Sequence, residues 1–253
     1  MTTATLIAST QIDRDALGAI GYETHRTPGL EDPGFGSFGD QETDADELAE
    51  FAGRNCYQSF GRPNPKTATN AGYLEHILDV GHESVLEHGS ASFYIQASRS
   101  VLTELERHRH LSFSVVSQRY VDVGKLGVHI PPGYLAALTH PDLTELDKEI
   151  LMEATTKSLN QAHDSYNSIV EIMTKLGFER KKAREAARAV VPNCIDSPMV
   201  VTGNHRAWRY VIKARWHEAA DAEIRELAGQ LLEQLRTVAP NVYQDIPDTP
   251  YSY

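Results

Sequence analysis

Between Gly89 and Ala97 polar and apolar positions alternate: Ser90, Ser92, Tyr94 and Gln96 interleave with Ala91, Phe93, Ile95 and Ala97. A period of two puts the second set on one face, which predicts a strand with one buried side. The period then changes. Leu102 and Leu105 are helix-spaced within residues 99–109, so the row Arg107-His108-Arg109 closes a helix that follows a strand. Residues 4–9 and 115–123 read as further strands, and 199–202 as a short one. Pro131-Pro132-Gly133 ends the segment that follows 115–123.

Helical spacing covers 45–57 and 67–80, the latter through Tyr73, Ile77 and Val80. Asp142 reads as the cap of a long helix reaching about Leu176, with Gly177 as its stop. A basic helix (180–190) is broken by Pro192-Asn193, and helices over 204–216 and 217–238 follow. Residues 25–45 are rich in Gly, Pro and Asp and read as a surface loop. Strands gather in the first half and helices in the second, with no repeat and no separating linker. The expectation is one α+β domain over 1–253, a mixed or antiparallel sheet flanked by helices. Residues 24–45 form a loop insertion in that reading, and 239–253 a C-terminal tail.

Composition narrows the class. The 253 residues are 41% hydrophobic and 23% charged, ordinary for a soluble globular protein, and the formal net charge is -11. That balance argues against wholesale nucleic-acid binding, which needs a basic face. Two cysteines, Cys56 and Cys194, and no C-x-x-C exclude a disulfide framework or zinc ribbon. No signal-peptide pattern opens the chain, and no apolar run approaches roughly eighteen residues, so a cytoplasmic protein with no membrane contact is expected.

Against this acidic background the cations of residues 107–119 stand out: Arg107, His108, Arg109 and His110, then Ser117, Gln118 and Arg119. Arg presents a rigid fork to phosphate and a flat face to planar rings. Alone, such a row is explained by a helix end, where cations complement the partial negative charge. A second group lies later. Arg184 and Arg188 are four apart, and Asn204, Trp208, Val211 and Arg215 recur at one helical face. Trp208 and Val211 turn that stripe inward, so Arg215 must meet a carboxylate such as Glu218 or Glu223, carbonyls, or a bound ligand. Arg206 and Arg209 fall on other faces and read as solvated.

Three motifs carry less. Gly34-Phe-Gly36-Ser-Phe-Gly39 has the dinucleotide spacing, but no strand delivers it and an acidic run follows, so it reads as a loop. His82-Glu83 and Glu87-His88 place histidines six apart, wrong for one helical face, which predicts a structural or ligand-contacting turn and no metal site. Cys194 reads as a small buried thiol without a local base.

Taken together the segments resemble flavin-dependent thymidylate synthases. Arg107-His108-Arg109, seven residues and Ser117 match that family's signature, and Gln118 and Arg119 extend it. Further matches run through residues 51–60, 64–88, 187–193 and 200–209, so that the likeness covers about 48–238. The resemblance implies methylation of dUMP to dTMP, with carbon from methylenetetrahydrofolate and hydride from FAD reduced by NADPH. It implies Ser84, Arg107, His108, Arg109, Asn204, His205, Arg206 and Tyr210 at FAD. It further implies Glu104, Arg107, Ser117, Gln118, Arg119 and Arg188 at dUMP, with Arg215 catalytic at the uracil ring. A homotetramer with shared active sites, and no catalytic cysteine, follow from the same likeness. Val115 departs from the family's usual Glu or Gln, and Tyr210 from its His or Asn. Two other readings are an NADPH-oxidising flavoprotein without methyl transfer, and a nucleotide- or RNA-binding module built on the cationic row.

Overall fold

Ala91, Phe93 and Ile95 do share a buried face in the computed structural model, which describes residues 2–24, 43–62 and 64–252. They belong to β2 (Ser90–Gln96), which runs antiparallel to β1 (Thr3–Ser9) on one side and to β4 (Met199–Asn204) on the other. The short β3 (Ser112–Val115) completes the order β1-β2-β4-β3, and every pairing in this sheet is antiparallel. The fold is therefore α+β, as expected. The glycine-rich motif at 34–39 and most of the 24–45 loop lie outside the described residues.

Two helices close the sheet. Ile224, Leu227, Leu231 and Leu235 of α9 (Ala222–Val238) are fully buried with Phe93 and Val201 in the main core. Trp208 of α8 (His205–Arg215) packs edge-on to Phe93 at 5.1 Å and donates from its indole nitrogen to the Ala91 carbonyl at 3.0 Å. The outer edge of β1 is closed by side chains. Gln230 and Gln234 accept from the amides of Ala4 and Leu6 and donate to the carbonyls of Thr2 and Ala4. An edge satisfied in this way is blunted as a template for another strand.

Local chemistry moves several boundaries. Of residues 115–123 only Val115 is in a strand, as the end of β3: after Val116 donates to Pro198, the Ser117 carbonyl accepts from Tyr120 and Val121 and turns the chain. The ladder stops because β4 begins only after Pro198. The helix before the cationic row, α4 (Arg99–Leu105), ends one residue earlier than Glu106, so residues 107–109 lie in turns. Pro132 opens α5 (Pro132–Leu138) instead of ending a segment, because a first-turn position needs no amide hydrogen. Thr144, not Asp142, caps α6 (Glu145–Lys175): its hydroxyl accepts from the Asp147 amide at 3.1 Å and donates to that carboxylate at 2.6 Å. Gly177, at φ +85°, follows the end of α6 as expected. Residues 217–221 form a separate turn before α9, and α3 (Asn70–Asp79) starts later than its spacing suggests, behind a short 3-10 turn at Pro65–Thr67. α1 (Arg14–Ala19), α2 (Asp44–Tyr57) and α7 (Arg180–Ala187) complete the helices used below.

The tail after α9 is part of the core. Val242, Tyr243 and Ile246 are buried, and Asp46 of α2 accepts the amides of Asn241 and Val242 at 3.2 and 3.0 Å.

Candidate active site

The junction of β4 and α8 organises one half of the site. Asn204 ends the strand and caps the helix, its side-chain oxygen accepting from Ala207 at 2.8 Å. The stripe from the sequence faces inward as expected: Trp208 and Val211 are buried and Arg215 is partly so. Its partner is neither Glu218 nor Glu223. Arg215 donates to the Glu104 carboxylate at 2.6 Å, to the Glu104 carbonyl at 3.2 Å, and through Nε to Nε2 of His108 at 3.1 Å. A guanidinium has five N–H groups. Three are committed here, which leaves one on each Nη for an anion.

His108 reaches Arg215 because the chain reverses after α4. The His108 amide donates to Leu105, and Leu111 donates to the His108 carbonyl. That turn buries His108 and leaves Arg107, Arg109 and His110 exposed. Burial, then the charges of Arg215 and Arg107, hold the His108 pKa down to about 4. The ring is neutral near pH 7. Tyr210, exposed on α8, makes a T-shaped contact with it, centroids 5.4 Å apart at 68°.

The turn Glu83–Glu87 flanks this half. Ser84 is exposed on it, Glu87 pairs with Arg206 at 2.5 Å, and Glu83 pairs with Lys213 at 3.3 Å. Arg209 is not solvated as its position suggests. It is 1% exposed and binds both Asp245 oxygens at 2.7 Å as well as the Val242 carbonyl. His205 is also buried, with Nδ1 against the Tyr243 hydroxyl at 3.0 Å, and burial lowers its pKa to about 4.

Ser117, Gln118 and Arg119 sit apart from this cluster, on the turn after β3. Gln118 is buried, while Arg119 meets Glu185 of α7 at 3.3 Å. Arg184 ties that turn to α7 through the Tyr120 carbonyl at 2.5 Å, and Arg188 is exposed with no ion-pair partner among the described residues. Among the described residues no hydrogen bond or ion pair joins this group to Arg215. Two recesses lie elsewhere. One is an open groove of about 990 Å³ along α6, and the other an apolar pocket of about 80 Å³ beside Tyr166.

His82 and His88 flank a 3-10 turn, and no metal-holding cluster of three occurs among the described residues. Cys194 is only partly buried, not fully so as its small thiol suggests. Burial and the nearby Glu223 charge push the Cys194 thiol up, which disfavours the thiolate. Val115 packs against the main core.

These features set exposed arginines and the Tyr210 ring beside Arg215 on an antiparallel α+β frame. The family described as thymidylate synthase complementing protein matches residues 40–241, and the chain belongs to it. The chain is 64% identical over 252 residues to a probable flavin-dependent thymidylate synthase of Mycobacterium phage L5, covering 99% of each. It is 67% identical over 229 residues to the one of Mycobacterium phage D29, covering 88% of this chain and 95% of that relative. With the flavin-dependent thymidylate synthase of Mycobacterium marinum identity is 51% over 221 residues, 82% of this chain and 83% of the relative.

Proposed function

We infer that this chain is a flavin-dependent thymidylate synthase with that family's fold in a single domain. It methylates dUMP reductively to dTMP, taking carbon from 5,10-methylenetetrahydrofolate and reducing equivalents from NADPH through FAD. The observation that carries the reading is Arg215: a partly buried guanidinium, held on three donors, with two N–H groups to spare. A cation so fixed stabilises negative charge on a uracil ring without reorganising, which enriches C5.

The donor set suits both ligands. Exposed Arg107 and Arg109, without an ion-pair partner among the described residues, offer forks to a pyrophosphate, and the exposed Tyr210 ring offers a face to a planar heterocycle. Ser84, Asn204 and Arg206 complete the FAD side, with the buried rings of His108 and His205 in the layer beneath. When bound, FAD supplies the redox chemistry and the protein supplies charge and orientation. Glu104, Arg107, Ser117, Gln118, Arg119 and Arg188 hold dUMP, with the cations around its phosphate. From the family likeness we assign a cytoplasmic homotetramer in which neighbouring subunits share the active sites. No helix among the described residues is long and apolar enough to cross a membrane.

Release of tritium from C5-labelled dUMP, given methylenetetrahydrofolate and NADPH, tests the reading. NADPH oxidation without tritium release would favour a flavoprotein lacking methyl transfer, the reading that the apolar packing of Val115 leaves open. A colourless protein that binds oligonucleotides with a steep salt dependence would replace both.

A further inference from the structure

We infer that His108 is a positioning residue: it aims Arg215 and does not itself touch either ligand. The inference rests on the catalytic role just proposed for Arg215. Arg keeps its proton at all working pH values and can only donate. At 3.1 Å, Nε2 of His108 must therefore accept from Nε of Arg215, and the imidazole hydrogen must sit on Nδ1. Nδ1 is itself buried with no acceptor among the described residues, so among them the Arg215 contact fixes this tautomer.

The ring has little else to offer a ligand. It is 6% exposed, and Tyr210 packs against it in a T-shaped contact. The guanidinium, by contrast, sits at the end of a long stem with several rotatable bonds. Glu104 fixes its two Nη groups, but a plane held only at one end can still tilt. The contact at Nε is the third point, and it turns the two remaining N–H groups one way. Arg107 and Arg109, neighbours of His108 in the same row, are exposed, and in the proposed function they are the ones that meet the ligands. The row thus divides into two outward cations and one inward prop.

The test uses the full-length, FAD-loaded protein with His108→Leu and His108→Gln. Leu should keep FAD affinity within about two-fold while kcat falls by about a hundred-fold, the scale of a small misplacement of a catalytic group. Gln, whose amide oxygen can accept from Nε, should restore kcat to within about ten-fold of the parent, the loss of roughly one neutral hydrogen bond. FAD affinity falling in step with kcat, with Gln no better than Leu, would overturn the inference in favour of ligand contact. Nitrogen-15 spectra of the His108 ring give a second reading that needs no turnover: the Nδ1–H form supports the inference, and the Nε2–H or doubly protonated form overturns it. A wild-type protein with no tritium release would sink the proposed function instead.

Discussion

Glu104 and Arg215, 111 positions apart, meet at 2.6 Å, and the Glu104 carbonyl takes a second donor of the same guanidinium at 3.2 Å. One residue at the end of α4 thus serves the last residue of α8 with both side chain and backbone. Arg215→Ala should retain flavin, because the groups assigned to FAD lie on other positions, and lose turnover by several orders of magnitude. Tritium release beside bound-flavin absorbance measures both. Near-normal turnover would remove Arg215 from catalysis.

Arg119 is held by Glu185 at 3.3 Å, a pair largely open to solvent and therefore weak in the free protein. A dUMP phosphate can outcompete that carboxylate. Arg119→Ala should raise KM for dUMP by about ten- to hundred-fold, since a charge-assisted contact contributes roughly 1.5–3 kcal/mol. kcat at saturating dUMP should change little. A change confined to kcat would place Arg119 at the reacting ring instead.

What was legible in the sequence follows from the range of each signal. Alternation at Ala91, Phe93 and Ile95 and the helical stripe through Trp208 and Val211 are local, and both face the core as read. The partner of Arg215 was not legible, because Glu104 lies on another element and only tertiary packing brings it near. Arg209 was misread for the same reason: its counterion is in the tail, at Asp245. The 115–123 strand failed because β propensity says nothing of where a partner strand stops, and Pro198 stops this one. The motif Arg107-His108-Arg109 was found by its residues, but which of the three turns inward depends on the reversal after Leu105.

The pair of Arg209 and Asp245 joins α8 to the tail beyond the family match at 40–241. Asp245→Ala would leave a buried guanidinium with the Val242 carbonyl and a Glu83 oxygen at 3.8 Å. Losing one partner of a buried pair costs about 3–5 kcal/mol, and the half-exposed carboxylate reduces this to about 1–3 kcal/mol. Melting temperature should drop by several degrees, at about 2–4 °C per kcal/mol for a chain of this size. An unchanged melting point would mean that water replaces the carboxylate without cost.

Acid stability turns on three buried groups that pull in opposite directions. Burial first, and for His108 also two arginines, holds His108 and His205 at about 4, against an ordinary 6.5. Each histidine therefore contributes stability that is present above pH 6.5 and lost as pH falls toward 4. Burial raises Asp46 to about 7 from 3.8, although the amides of Asn241 and Val242 oppose the rise. Its folded form binds a proton that the unfolded chain lacks, so its contribution is present below pH 3.8 and lost as pH rises to 7. Between pH 4 and 6.5 two histidines outweigh one aspartate, and net stability should climb by about 1 kcal/mol per pH unit. Above 6.5 only Asp46 remains, and the slope should flatten or reverse. His205→Gln should remove the climb contributed by one histidine, leaving a nearly flat profile from pH 4.5 to 6.5. Denaturant titrations across that range measure it, and an equally steep climb in the variant would show that other groups govern the acid limb.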